Sequence, residues 1–422
     1  MIETTPSATS MFHRAFSQKL ETDDRSPIVT FELPISGDSY GILLPNVGFW
    51  IQLIATVVVG GVFLSIISLA MHTFVVERRN TATAYLVGWG AVVPACILGP
   101  ISILEFLDIR NLMLRFIIGC ILPPITVYKC ISTMYGTNPK EVEKSKKIFA
   151  LFISSSQEIV FDPRTDEAAK ATFSEVFSHL VKFLQYMMLN GIYFSWISAY
   201  EFHPFGVVAA RDGYISSPSN IICLRQLANN FSIALLYQLL LTFFGEGLVA
   251  ISSILTGLRF RKMMENPVFT SASPSDFWGQ KWNLVIHENL KRGVYKPVRK
   301  RFSRNVAMVS SFVASGIFHE WILLVIYFRN YSECQDIRPC YKPVLGGALS
   351  FFAWNAVLVF LEYATGGVSI MPKFAAALPR FLRSLLVVFL ALPLAHVFTK
   401  PYIDGHLFHD FRVALPILVK VS

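Results

Sequence analysis

The run RNVAMVSSFVASGIFHEWILLVIYF, residues 304–328, decides how this chain is read. A membrane-spanning helix needs about 20 predominantly apolar residues, whereas a buried segment of about 10–14 belongs to a soluble core. The run reaches the spanning length, yet it carries His319 and Glu320 in its interior. An ionisable group near a bilayer centre costs at least about 2.5 kcal/mol on insertion scales, so its presence there marks a functional site.

The surrounding chain reads the same way. Of 422 residues, 53% are hydrophobic and 15% charged, and the mean hydropathy is +0.50. Composition alone admits a large soluble domain, but run length favours the membrane. Further apolar runs lie near 48–75, 83–107, 112–134, 178–199, 231–257, 344–364 and 382–399, with His179, Lys182, Gln185 and Asn190 interrupting the fourth span. The expected fold is all-α, a polytopic integral membrane protein with about eight transmembrane helices around an intramembrane reaction chamber. Residues 1–47 read as a polar, loosely ordered N-terminal tail without a basic-then-apolar signal peptide, and 48–422 as one multi-span domain. Gly60-Gly61 and Pro123-Pro124 are expected to kink or loosen their spans.

Basic residues set the orientation, because they concentrate in short cytosolic loops. Residues 258–304 carry eleven Lys or Arg against Glu265, Asp276 and Glu288, nearly the whole formal net charge of +9. With that segment cytosolic, Glu77-Arg78-Arg79 and the 140–147 stretch also face the cytosol, and the N-terminus faces the lumen. Cys96, Cys120 and Cys130 fall in spans as small buried hydrophobes. Cys223, Cys334 and Cys340 fall in lumenal loops, where a Cys334–Cys340 disulfide stays open. Sequons at Asn230 and Asn330 lie close to the membrane.

Within the basic segment, Ser273 as N-cap, Pro274 at the first helical position and Asp276 three residues after the cap predict a helix start. Continued through Lys291, that helix carries Trp278, Trp282, Val285 and Ile286 on one face and Asp276, Gln280, Asn283, His287 and Lys291 on the other. Such a helix lies on a membrane surface. The basic run from Lys291-Arg292 through Arg299-Lys300-Arg301 to Arg304 suits phosphate docking, and equally suits topology setting and contact with anionic lipid.

The 304–328 helix places Ser311, Ser315 and His319 on one stripe, with Gly316 leaving room beside it. From Arg304 to His319 is about 22 Å of helix, past the middle of a hydrocarbon layer about 30 Å thick. Desolvation there favours a neutral imidazole able to take a proton. Glu320 points about 100° away, so it is expected to anchor a neighbouring helix rather than pair with His319.

Phe277-Trp278-Gly279-Gln280-Lys281-Trp282-Asn283 followed by Phe318-His319-Glu320-Trp321 resembles the wax synthase-like branch of the membrane-bound O-acyltransferases. Within that branch it is similar to fungal acetyltransferases of terpenoid and meroterpenoid natural products. The motif-bearing resemblance covers about residues 266–328. It implies acyl-CoA, here acetyl-CoA, as co-substrate with no permanently bound cofactor, His319 as the catalytic histidine and Asn283 as the second polar residue. It also brings Trp278, Trp282, Gln280 and Lys281 into the substrate site, although family members often carry an Arg pair where this chain has Gln280-Lys281. The chemistry is coherent on its own terms. A buried neutral histidine can deprotonate an attacking hydroxyl, an asparagine can orient it or stabilise the oxyanion, and a dry chamber disfavours hydrolysis.

Other readings start from other residues. His319 is not part of an HExxH zinc site, since position 323 is Leu, and no metal is expected. His406-Leu-Phe-His409-Asp410 matches the HxxxD of soluble acyltransferases but falls beyond the last span, where it reads as chance. Glu246, between Gly245 and Gly247, points either to a proton-coupled transporter, to a chamber wall or to a bond across helices. A receptor or structural membrane protein would use His319 as a core hydrogen-bonding group. The expected function is an O-acyltransferase of a hydrophobic alcohol in the endoplasmic reticulum membrane, with wax-ester synthesis as the alternative. Its expected partners are acyl-CoA, the alcohol and the lipid bilayer, with no nucleic acid.

Overall fold

The computed structural model describes residues 25–32, 39–121, 123–206, 223–327, 341–364 and 378–421. In chain order these form strands β1 (Val29–Glu32) and β2 (Ser39–Leu43), helices α1 (Val47–Val76) and α2 (Ala82–Phe106), and the short helices α3 (Leu112–Ile121), α4 (Pro123–Met134) and α5 (Lys146–Ser154). Then follow α6 (Phe173–Ser198), α7 (Leu224–Thr256), α8 (Leu284–Leu290), α9 (Arg304–Tyr327) and α10 (Gly347–Ala364). The chain closes with α11 (Arg380–Ala391), α12 (Ala395–Asp404), α13 (Leu407–Phe411) and strand β3 (Ile417–Val421).

Among the described residues five helices, α1, α2, α7, α9 and α10, are long and apolar enough to cross a membrane, and α11 with α12 makes a sixth if that pair, bent by 71°, is one span. The expected eight include runs that, among the described residues, do not meet this length and composition, for identifiable reasons. The run at 112–134 is split into α3 and α4, of 10 and 12 residues, where Pro123 and Pro124 remove donors from the helical ladder. The run at 382–399 is broken around Pro393 in the same way. The run at 178–199 does form one long helix, α6, but its polar residues keep it out of the apolar set. Two of those residues turn inward, His179 meeting Glu246 of α7 and Asn190 Nδ2 donating to the Leu239 carbonyl at 3.0 Å, while Gln185 is exposed. Phe177, Leu184, Met188 and Ile192 are left exposed on the other side.

Local caps explain most boundaries. Asn46 accepts from Phe49 N at the start of α1, and Thr172 and Glu175 form a reciprocal capping box at the start of α6. Gly257, at φ +71, stops α7 in a left-handed turn open to glycine.

Two expectations need correction. The protein is mostly helical but not all-α, because β1, β2 and β3 form an antiparallel sheet in that order. The N-terminal segment is also not uniformly loose, since Tyr40 and Leu43 of β2 are buried and Gly41 pairs with Val419 near the far end of the chain. A strand whose partner is so distant in sequence leaves only a short, weak pattern. Cys96 and Cys130 are buried free thiols and Cys223 is free. Asn330, Cys334 and Cys340 lie outside the described residues. Asn230 is buried, with its amide donating to the Leu392 carbonyl at 2.8 Å, so this sequon is not presented as an acceptor.

Candidate active site

The segment before α9 starts as its residues dictate. Ser273 Oγ accepts from Asp276 N at 3.2 Å, and Pro274 opens the helix. The continuous surface helix does not follow. The chain stays helical through Lys281, becomes extended at Trp282 (φ −87, ψ 124) and turns left-handed at Asn283 (φ 40) before α8 begins. Asparagine tolerates this geometry because its side chain replaces the lost backbone bond. Asn283 Oδ1 accepts from Ile286 N at 3.3 Å and caps α8. The two expected faces therefore do not lie on one helix. The break folds the segment into a wall against the bundle. Trp278 Nε1 donates to Asn355 Oδ1 of α10 at 3.0 Å, and its ring lies 5.6 Å from that of Phe352. Trp282 stacks on Phe277 at 5.2 Å.

Behind this wall is a cavity of about 510 Å³, mostly apolar and aromatic. Along α9 it borders Arg304, Met308, Ser311, Ser315, His319 and Ile322, so the polar stripe read from the sequence faces the interior. Asn283, Trp278, Trp282 and Gln280 border the same cavity. His319 Nδ1 is 2.8 Å from the Ser315 carbonyl oxygen. A carbonyl accepts only, so Nδ1 carries the hydrogen and Nε2 keeps its lone pair. The imidazole is held among Phe318 and Phe352, each at 4.8 Å, and Phe398 at 5.2 Å. Ser311 Oγ bonds back to the Ala307 carbonyl at 3.0 Å. Ser315 Oγ makes no such bond among the described residues and remains a spare donor one turn from the imidazole. Likewise, among the described residues Asn283 Nδ2 has no protein partner.

The end of the cavity at the basic segment is bordered by exposed Gln280, Lys291 and Arg304, together with His287 and Tyr295. Burial holds the His287 imidazole below its usual range, and Lys291 and nearby arginines reinforce the shift beyond what Glu288 restores. The mouth thus sets the Lys291 and Arg304 side chains beside an imidazole whose neutral form burial favours, and Lys291 Nζ also donates to Glu288 Oε1 at 3.1 Å. The guanidinium of Arg304 also lies 4.2 Å from the Tyr363 ring centroid of α10. The rest of the basic run divides. Arg292 is buried against Glu158, Lys300 donates to the Tyr135 carbonyl, and Arg299 to that of Phe302.

Three expected site residues have other uses. Gly316 packs α9 on α10, where an added Cβ would lie 2.9 Å from Leu349 Cα. Lys281 is engaged by the Thr270 carbonyl and, at 3.2 Å, by Asp276. Glu246 pairs with His179 across α6 and α7. Glu320 anchors the neighbouring helix as expected, accepting from Leu349 N at 3.1 Å near the start of α10. Asp410 is likewise structural, accepting from Leu112 N at 2.7 Å. Sequence reasoning missed Phe352 and Phe398, which flank His319, and Asn355 and Glu362, which hold the wall. Glu362 takes both the amide and hydroxyl of Ser275, at 2.8 and 2.6 Å. A signal existed for Asn355 and Glu362 as polar residues in an apolar span. The phenylalanines had none.

The structure thus combines a mostly helical bundle, several of whose helices are long and apolar enough to cross a membrane, with an aromatic-lined cavity bordered by one imidazole whose Nδ1 is hydrogen-bonded. The model of MBOAT, the membrane-bound O-acyltransferase family, matches residues 114–336, more than half of the chain. The chain belongs to this family and is an integral membrane protein. It is 33% identical over 107 residues to probable long-chain-alcohol O-fatty-acyltransferase 9 of Arabidopsis thaliana, covering 24% of this chain and 28% of that protein. It is 28% identical over 129 residues to long-chain-alcohol O-fatty-acyltransferase of Simmondsia chinensis, covering 26% and 37%. Acyl-CoA–sterol O-acyltransferase 1 of Arabidopsis thaliana is 30% identical over 104 residues, covering 20% and 30%. The chain thus spans well under half the length of each of these relatives.

Proposed function

We propose that this protein transfers an acyl group from acyl-CoA to the hydroxyl of a hydrophobic alcohol within the membrane. The observation that carries the reading is the fixed tautomer of His319 in an aromatic chamber whose cytosolic mouth is cationic. The alcohol oxygen attacks the thioester carbonyl carbon while His319 Nε2 takes its proton. The carbon–sulfur bond then breaks, and the imidazolium returns that proton to the departing thiolate, so ester and free coenzyme A leave. The Asn283 amide donates to the oxyanion that forms in between, where a fixed donor is worth more than in water. Ser315, Trp278, Trp282 and Gln280 contact substrate, and Lys291 and Arg304 meet the phosphates of the donor. The apolar walls exclude competing water.

The finer reading is an acetyl donor and a terpenoid-type alcohol, supported by the resemblance of the two motifs. A second reading, long-chain wax-ester synthesis, is favoured by the names of the relatives. Both place the enzyme in the endoplasmic reticulum. Transport is a reading of another class resting on Glu246, which pairs with His179 and does not border the cavity among the described residues. Microsomes given labelled acetyl-CoA or palmitoyl-CoA with terpenoid, sterol and fatty alcohols test all three. Acetyl esters of terpenoids support the first reading and fatty esters of long alcohols the second. Ester formation undiminished in His319→Ala sinks the mechanism, and vesicle transport without ester supports the transporter.

A further inference from the structure

Behind the chamber wall lies a buried ionic cluster that no step of the transfer uses. Glu158 follows Ser156, which borders the cavity. Its carboxylate accepts from the Arg292 guanidinium and, at 3.5 Å, from the Asn289 amide. All three side chains are buried, Asn289 to 1% exposure and Arg292 to 5%. The Glu158 loop is itself pinned from its other side. Lys129 donates to the Phe152 carbonyl and, at 2.6 Å, to the Ser155 carbonyl, while Arg261 N donates to the Glu158 carbonyl at 2.8 Å. Both partners of Glu158 lie on the helical run that begins with α8, Asn289 at the end of α8 and Arg292 in the π segment Lys291–Tyr295 that continues it. At the other end of α8 stands Asn283. The chain stays helical from Leu284 through Arg299, and such a run moves as one piece, so a tie at 289–292 sets where its first turn lies.

We infer that Glu158 is a positioning residue for the transfer. By holding the far end of α8 it sets where Asn283 presents its amide to the reacting carbonyl. This rests on the acyltransferase reading, with Glu158 acting through Asn283 and not on substrate. Among the described residues, without Glu158 the buried Arg292 guanidinium keeps only the Glu288 carboxylate, one turn away on its own helix at 3.9 Å, which ties it to nothing outside that helix. A buried charge so weakly compensated is disfavoured, and relieving it draws that end of α8 toward water. A misplacement of about 1 Å at a catalytic group costs on the order of 100-fold in rate.

A double-mutant cycle on the whole chain in membranes tests this, using wild type, Glu158→Gln, Asn283→Ala and the double variant. Glu158→Gln is expected to lower kcat roughly 10- to 100-fold in the wild-type background, with little change in KM for acyl-CoA. It should add no further loss in the Asn283→Ala background, while lowering the thermal midpoint equally in both. Equal loss of kcat in both backgrounds, or none in the wild type, overturns the inference. Glu158→Asp, which keeps the charge but shortens the reach, serves if the Gln variant does not accumulate, with the same pattern expected. Amide hydrogen exchange gives a readout without turnover. Faster exchange confined to 284–290 in the Glu158 variant is expected, and unchanged exchange there overturns the anchoring. A wild-type protein that makes no ester would sink the acyltransferase reading while exchange still decides the anchor.

Discussion

At the scale of single residues, His319 and Glu246 are both ionisable groups in apolar helices, and their partners separate their uses. Among the described residues His319 bonds only its own helix, through Nδ1 and the Ser315 carbonyl, which on the proposed reading leaves Nε2 for chemistry. Replacing it by Ala is expected to lower ester formation at least about 100-fold, the usual scale of general-base catalysis, with the thermal midpoint in detergent little changed. Initial rates with labelled acyl-CoA check this. Glu246 has its partner in His179. Glu246→Ala is expected to destabilise the fold by about 1–3 kcal/mol, the cost of a buried unpaired group, while kcat of the surviving protein stays near wild type. A collapse of kcat at unchanged thermal stability would return Glu246 to the chamber wall. The histidine is legible in the sequence because a polar group in an apolar helix is costly and therefore conspicuous. Phe352 and Phe398, which pack on its ring, are invisible for the converse reason, since phenylalanine in an apolar helix carries no contrast.

At the scale of elements, breaks decide more than helices do. The start of the wall segment is legible from Ser273, Pro274 and Asp276, but its interruption at Asn283 is not. A pattern of tryptophans and polar residues at helical spacing fits one continuous helix as well as two short ones, and only the φ of 40 at Asn283 distinguishes them. The interruption matters, because it turns Asn283 from one residue on a polar face into a cap that borders the cavity. Gly316 shows the opposite ambiguity. A glycine beside a polar stripe reads as room for substrate, yet its space is filled by Leu349 of α10. Gly316→Val is accordingly expected to cost about 1–3 kcal/mol through overpacking, measured as a lowered thermal midpoint. Leu349→Ala in the same chain should restore only part of it, because one of the atoms met at 2.9 Å is backbone.

At the scale of the whole molecule, the charge distribution and the chamber point the same way. The eleven basic residues of 258–304 give the orientation, and Gln280, Lys291 and Arg304 of that segment border the cavity. On the proposed reading the polar donor approaches from the face that the positive-inside rule assigns to the cytosol. That much is legible without coordinates. The antiparallel sheet joining residues 29–43 to 417–421 is not, because neither run is long or periodic enough to announce a partner at the other end of the chain. Sidedness yields a prediction independent of acyl length and acceptor. Acyl-CoA, with its charged phosphates, does not cross a bilayer unaided. Sealed, right-side-out microsomes supplied with it externally should therefore form ester as fast as detergent-opened ones, within about twofold, and Lys291→Glu with Arg304→Glu should raise KM for the donor more than it lowers kcat. The KM effect should shrink at high salt, because exposed charges are screened over about 10 Å at 0.1 M ionic strength. Activity that appears only after the membrane is opened would reverse the orientation, and with it the assignment of the cationic mouth to the donor.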